Sequence, residues 1–223
     1  MEKRKQLEQI SFFCSCTKEQ YDMISPLLVE KTFEKGTYLF FEQEPCTFVY
    51  FLIEGLVKVF RTEKSGREQI VNLFVSNDMF PHVGVTKEGT YPATAQAQLP
   101  SVVWVMRVED FQLVCNKIPF LQMRLAELMD QHIRELQQRL VKSLDKNIPT
   151  RIYEVIWPIA CRIGKKVQDG YMISPAPTHQ EIADLVGISR ETVTRAIPTL
   201  KKEKRMDVRN HQLYLFHPPA NGQ

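Results

Sequence analysis

The chain is predicted to fold as α+β, with an N-terminal antiparallel β-roll of jelly-roll type, one long helix and a C-terminal winged helix-turn-helix. Three patterns predict this. From about position 33 to 114, short β-branched and aromatic runs are separated by turn signals, as in an antiparallel barrel or sandwich. After Pro119, apolar residues recur every three or four positions as far as Asn147. Between 178 and 205, two capped helical patterns meet at a glycine and end in a basic cluster. The expected domains are a sensor roll over 1–116, a pairing helix over 117–147 and a reading head over 148–223.

Within the roll, strands are predicted at 37–41, 48–53, 56–61, 69–74, 93–97 and 101–107. Gly36, Gly55, Gly66 and Gly89 punctuate them, and Lys64-Ser65-Gly66-Arg67 has the composition of a hairpin tip. The long helix carries Leu121, Leu125, Leu128, Met129, Ile133, Leu136, Leu140 and Leu144 as a stripe. A helix of that length between two compact domains has too little of its own chain to cover such a stripe. A homodimer is therefore expected, with Leu121, Leu125, Leu128, His132, Leu136 and Leu140 at the interface. The alternative is that the stripe packs on its own barrel. His132 sits within the stripe, at a place to face its mate across the dimer axis, and is expected to be a buried or rim histidine with a satisfied hydrogen bond rather than a pH switch.

A second helix is expected over 150–165, bent at Pro158 because proline lacks the N–H of a helical hydrogen bond. A short strand at 171–173 follows. Thr178 with Glu181 forms a capping box, Ile182, Ala183, Leu185 and Val186 mark a buried face, and Gly187 supplies the left-handed turn residue. Ser189 caps the next helix, whose Val193, Ile197 and Leu200 point inward. Runs at 207–209 and 213–216, joined through Asn210 and His211, predict a closing hairpin, and the polar tail after His217 is expected to be loose.

The outward face of that last helix carries Arg190, Glu191, Thr194 and Arg195 near its N-terminus, the end that enters a major groove. Arginine grips guanine O6 and N7 with two hydrogen bonds, a carboxylate accepts from cytosine N4, and each such pair discriminates by roughly 1–3 kcal/mol. Lys201, Lys202, Lys204 and Arg205 follow and suit phosphates, which add affinity without sequence information. The plainer alternative is a solvated amphipathic pair that is basic at one end.

Composition bounds the rest. With 223 residues and 43% hydrophobic content, a buried core is expected; the net charge of +3 is too weak by itself to argue for nucleic acid, but it is concentrated in the reading segment. Five cysteines at 14, 16, 46, 115 and 161 lack metal-finger spacing, and the N-terminus lacks the apolar run of a signal peptide. No stretch approaches the roughly eighteen apolar residues of a membrane span. A soluble, cytoplasmic protein without membrane association is expected. No nucleophile, base and orienting group occur as a set, so no catalytic activity is predicted.

The order of roll, long helix and winged head resembles the catabolite activator and FNR (CRP/FNR) family of bacterial transcription regulators. In the roll the resemblance rests on Phe33-Glu-Lys-Gly36 through Phe41, Val49 through Phe60, Gly66 through Ile70 and Asn77 through Phe80, which follow the family's cyclic-nucleotide-binding roll. In the head, Ser189-Arg190-Glu191-Thr192-Val193-Thr194-Arg195 resembles the catabolite activator subgroup. The resemblance implies that Arg190, Glu191 and Arg195 read bases and that Ser189, Thr192 and Thr178 contact phosphates. It also implies a palindromic operator with TGTGA-like half-sites on double-stranded DNA, and RNA polymerase as a partner if promoters are activated.

The sensor departs from that resemblance. Where the family has Gly-Glu after the residue matching Phe80, this chain has Pro81-His82. Tyr91-Pro92 stands where an arginine and its neighbour precede the Ala93-Thr94-Ala95 segment. A cyclic phosphate would lack its counter-charge, so the sequence reads against cyclic AMP. His82, Tyr91 and Thr94 are the positions expected to meet an effector. An iron–sulfur cluster is disfavoured because the N-terminal cysteine spacing is too narrow and the family's distant cysteine aligns with Trp104. Haem through His82, a redox thiol switch in which Cys14 or Cys16 reaches Cys115 or a partner subunit, and a roll that senses nothing remain open, with buried or inert thiols the favoured reading of the cysteines. Two rivals of other classes are a module regulating a partner protein and a metal-dependent cupin-like enzyme. The exposed arginines argue against the first, and the lone barrel histidine against the second.

Overall fold

Burial alternates along the strand 94–97 and is nearly continuous along 48–54 and 101–107, the pattern of strands covered on one and on both faces of a two-sheet roll. The computed structural model describes residues 2–63, 66, 68–85, 88–143 and 147–216. The roll is built from β1 (Val29–Phe33), β2 (Tyr38–Phe40), β3 (Phe48–Glu54), β4 (Leu56–Thr62), β5 (Glu68–Val75), β6 (Met79–Phe80), β7 (Thr94–Ala97) and β8 (Ser101–Arg107). One sheet has the order β1-β8-β3-β6 and the other β2-β7-β4-β5. Their inner faces meet in an aromatic core. Phe40 stacks on Tyr91 at 3.9 Å between ring centroids, Phe74 on Phe80 at 4.8 Å, and Tyr50 on Phe80 at 5.3 Å. Each such pair adds about 0.5–1.5 kcal/mol beyond the area it buries.

Two short helices precede the roll: α1 (Glu2–Gln9) and α2 (Lys18–Ile24). Between them Phe12 and Phe13 are fully buried against Phe51 and Phe111. This N-terminal cover was not expected, because its apolar residues sit in a segment without helical or alternating period. The strands also begin earlier than 33, and the segment expected to finish the barrel is helical instead: α3 (Val108–Lys117) buries Val108, Phe111, Val114 and Cys115 at helical spacing. The hairpin residues Lys64, Ser65 and Arg67 lie outside the described residues.

The helix α4 (Pro119–Ser143) corrects the expectation of a single stripe. Leu121 is fully buried in the roll core, Leu125 and Leu128 pack against it, and His132 places its ring 6.1 Å from that of His82. These four residues step by four, three and four positions and form one column turned toward the chain's own roll. Ala126, Met129, Ile133 and Leu136 form a neighbouring column of like spacing, with Ile133 54% and Leu136 45% exposed. Within one chain Leu121 is thus fully covered, while Leu125, Leu128 and His132 are covered in part. The side chain of Leu140, and all of Leu144, lie outside the described residues, as does the tail from His217.

The remaining elements are α5 (Ile148–Ile163), β9 (Lys165–Val167), β10 (Gly170–Ile173), α6 (His179–Val186), α7 (Arg190–Lys202), β11 (Met206–Arg209) and β12 (Gln212–Phe216). The sheet order is β11-β12-β10-β9. Helix α5 continues through Pro158, which lies on its exposed side. Ile152, Tyr153 and Ile156 of α5 share a core with Ile182, Val186, Val193, Leu200 and Leu213. By packing the chain divides into two units, Met1–Arg61 with Ile70–Arg134, and Thr62–Gln69 with Glu135–Gln223. No helix of the described residues is long and apolar enough to cross a membrane.

Candidate nucleic-acid interface and effector cavity

The two-helix head is fixed by its own caps. Thr178 accepts a hydrogen bond from the Glu181 N–H at 3.2 Å, and the Glu181 carboxylate accepts from the Thr178 N–H at 2.6 Å, so α6 starts with a complete capping box. It ends at Gly187, whose φ of 73° and ψ of 37° are left-handed. Arg151 of α5 donates to the Val186 carbonyl at 2.8 Å, tying the turn to the helix behind it. Ser189 then caps α7 by accepting from the Thr192 N–H at 3.2 Å, and the two hydroxyls of Ser189 and Thr192 lie 2.9 Å apart.

With Val193, Ala196, Ile197 and Leu200 buried, α7 presents Arg190, Glu191, Thr194 and Arg195 to solvent. The backbone N–H at the helix start and the Ser189 hydroxyl hold the Glu191 carboxyl below the usual carboxylate range, and nearby Arg190 and Arg195 act in the same direction. Glu191 is thereby kept ionised as an acceptor. Thr194 is oriented from two sides: its hydroxyl donates to the Arg190 carbonyl at 3.0 Å and lies 2.9 Å from His179 Nδ1. His179 links the two helices of the head, a role that a lone polar residue at the first position of α6 did not announce.

The basic cluster after α7 is not uniform. Lys202 and Lys204 are exposed, and Lys201 lies 3.7 Å from the Asp207 carboxylate, which Arg209 also engages at 2.6 Å. Arg205 differs from the expectation for it. Its side chain is only 13% exposed, its guanidinium lies 4.2 Å over the Tyr153 ring, and it donates to the Thr150 hydroxyl at 3.2 Å. Tyr153 in turn donates to the Phe216 carbonyl. Arg205 is therefore committed to the interior, not to phosphate. The wing is the β11–β12 hairpin, turned by Asn210 and His211, both at positive φ, as a two-residue hairpin of this twist requires.

In the roll, a cavity of about 230 Å³ opens between strand residues and the middle of α4, at His132. Phe40, Val59, Val71, Phe74, Phe80, Pro81, Val83, Pro92 and Ala93 line it, with Arg61, Asn72, His82 and His132 as its polar members. Of the three positions expected to meet an effector, His82 alone lines this cavity. Tyr91 is buried with its hydroxyl donating to the Phe48 carbonyl and accepting from the Phe48 N–H, and Thr94 accepts from the Glu42 N–H at 3.0 Å. Both side chains have their hydrogen bonds within the fold. Arg61 does not replace the missing phosphate-binding arginine, because its Nε donates to Glu42 at 2.8 Å and it is 60% exposed.

The thiols are dispersed. Cys46 and Cys115 are buried, and burial pushes each thiol, like that of half-buried Cys16, up to about 11. A thiol held protonated is a poor nucleophile, so these three are not poised for exchange at neutral pH. Among the described residues, no group of three or more histidine, cysteine or acidic side chains converges as a metal site.

Residues 30–117 match the cyclic nucleotide-binding domain, and residues 150–220 match the Crp-like helix-turn-helix domain. A global nitrogen regulator of Synechococcus elongatus is 27% identical over 202 residues, covering 89% of this chain and 90% of that protein. A CRP-like cAMP-activated global transcriptional regulator of Mycobacterium tuberculosis is 27% identical over 168 residues, 74% of each chain. FixK2 of Bradyrhizobium japonicum shares the fold with a TM-score of 0.72 at 20% identity, covering 84% of this chain and 92% of its own. The regulator CLP of Xanthomonas campestris does so with a TM-score of 0.73 at 16% identity, covering 91% and 100%.

Proposed function

The chain belongs to the CRP/FNR family of transcription regulators, joining a cyclic nucleotide-binding-type roll to a Crp-like helix-turn-helix DNA-binding domain, and from that premise we propose that it reads a palindromic operator as a cytoplasmic homodimer. In this reading residues 1–116 form the sensor, 117–147 the pairing helix and 148–223 the reading head. Arg190, Glu191 and Arg195 contact base edges, while Thr178, Ser189, Thr192 and Lys201 meet backbone phosphate. Thr194 supports the arginine that precedes it by one helical turn.

The exposed Arg-Glu-Arg face at the capped start of α7 carries the proposal. Its helix end supplies N–H groups and positive potential toward phosphate, and its side chains are of the types that distinguish guanine and cytosine. The apolar column of Ala126, Met129, Ile133 and Leu136 supports pairing of two α4 helices, since an apolar stripe at four-three spacing is what a coiled-coil seam uses. RNA polymerase is a partner where the regulator activates. The effector is other than cyclic AMP in this reading, because the guanidinium that lines the cavity among the described residues, Arg61, is engaged by Glu42.

Selection from a random duplex library with purified full-length protein tests this. The expected product is an inverted repeat of TGTGA-like half-sites with centres about one helical turn, roughly 34 Å, apart. Enrichment of no common sequence, or of a single unrepeated half-site, overturns the proposal.

A further inference from the structure

Resting on the reading of α7 as the helix that enters the major groove, we propose that Thr194 reads the C5 methyl group of one thymine in each half-site, and that His179 is the residue that fixes its orientation. Position comes first. Thr194 lies four residues after Arg190 and three after Glu191, and side chains at those spacings share one helix face. All three are exposed. A base pair beside those met by Arg190 and Glu191 is therefore within reach of Thr194.

The hydroxyl decides what Thr194 presents there. It has one proton and two lone pairs. The proton goes to the Arg190 carbonyl at 3.0 Å, so the 2.9 Å contact with His179 Nδ1 is an Nδ1–H donating to Oγ1. With its proton engaged, Thr194 has no donor for guanine O6 or N7, adenine N7 or thymine O4. One lone pair remains for the amino group of adenine or cytosine. The ionised Glu191 carboxylate on the same face is the stronger acceptor for such a group, because a hydrogen bond to a charged partner is about twice as strong as a neutral one.

The γ-methyl is what the exposed side chain has left for a base. Bonding of Oγ1 back to the preceding turn would by itself leave a helical threonine two staggered wells. The second bond, to His179 on the facing helix α6, selects between them and gives the methyl one direction. His179 is half-buried at the first position of α6 and acts on the base through Thr194, as a positioning residue. The apolar group on the major-groove edges of the bases is the thymine methyl. Bringing the two methyls together removes both from water, which should give roughly fourfold in affinity per half-site and about fifteenfold over two.

Titration of full-length protein with its selected operator, each thymine in turn replaced by deoxyuridine in both half-sites, tests the inference. Deoxyuridine keeps every hydrogen-bonding group of thymine and lacks the methyl alone. At one thymine position the replacement should weaken binding by roughly fifteenfold. Thr194→Ser, which keeps the hydroxyl and loses the methyl, should bind the two duplexes alike. Thr194→Val, which keeps a methyl and loses the hydroxyl, should retain the preference. His179→Phe should narrow it, and His179→Asn, whose amide N–H replaces Nδ1–H, should restore it. A phosphate contact by His179 would affect both duplexes equally and leave their ratio unchanged. The inference is overturned if no thymine responds to loss of its methyl, if the response persists in Thr194→Ser, or if it is absent from Thr194→Val. The first of these outcomes needs no variant, so a poorly folding substitution leaves the test intact. A protein that prefers the operator to a shuffled duplex but ignores every thymine methyl defeats this inference alone, whereas one without that preference defeats the reading of α7 as well.

Discussion

Replacing Gly187 by alanine isolates the energetic contribution of the turn that sets the angle between α6 and α7. Gly187 sits at φ 73°, where an L side chain strains the backbone by about 1–2 kcal/mol. A Cβ built there meets nothing closer than Arg151 Nη2 at 3.9 Å, an ordinary contact, so no steric term is added. Against the strain stands the lower entropy of the unfolded alanine chain, worth about 0.4–1 kcal/mol. The net loss should be about 1 kcal/mol, confined to the C-terminal unit. Gly170→Ala is the contrast. There a Cβ would lie 1.9 Å from the Leu215 carbonyl oxygen, a backbone atom held in the β10–β12 ladder, and the unit should fail to fold. Hydrogen exchange of the α6 and α7 amides measures both. Exchange in Gly187→Ala equal to wild type, or as fast as in Gly170→Ala, would refute this account of the turn.

Arg205→Met should destabilise the C-terminal unit by about 1–3 kcal/mol through loss of the Tyr153 and Thr150 contacts. It should leave the salt dependence of DNA binding unchanged. Lys202→Ala, at an exposed position, should instead lower the slope of log K against log salt by about 0.9 per subunit, or about 1.8 for the dimer, without affecting stability, and titrations at several salt concentrations distinguish the two. Leu136→Glu, on the exposed column of α4, should give monomers in sedimentation velocity and weaken operator binding; an unchanged dimer would place the interface elsewhere. For Cys16, Cys46 and Cys115 the folded thiols titrate near 11 instead of 9.0. Between those values the unfolded chain has released protons that the fold retains, so stability falls as pH rises through that window. Urea midpoints at pH 7 and pH 10.5 check the direction, and a higher midpoint at pH 10.5 would contradict it.

The head was the most legible part of the chain because its signals are local. Thr178, Glu181, Gly187 and Ser189 act within a few residues of themselves, and the structure gives each the cap or turn geometry that its type favours. Asn210 and His211 likewise form the wing turn. What was not legible depends on contacts between distant residues. Arg205 looks like any other member of a basic cluster until Tyr153, fifty-two positions earlier, lies beneath it. The two columns of α4 have nearly the same composition, and only the fold decides that Leu121, Leu125 and Leu128 serve the roll while Ile133 and Leu136 stay exposed. Tyr91 stands in the place of a missing arginine and Thr94 shortly after it, but their hydrogen bonds to Phe48 and Glu42 belong to the fold. The cavity pairing of His82 with His132 spans fifty positions, and no periodicity records it.

Fluorescence anisotropy of a selected operator and a shuffled duplex, titrated with wild type and with Arg190→Ala and Arg195→Ala, addresses the reading face directly. Each substitution should cost about 1–3 kcal/mol per half-site, and so twice that on the two-half-site operator, and far less on the shuffled duplex, so that the preference between them collapses while the protein remains folded and dimeric. A preference that survives both substitutions would contradict base reading by these arginines.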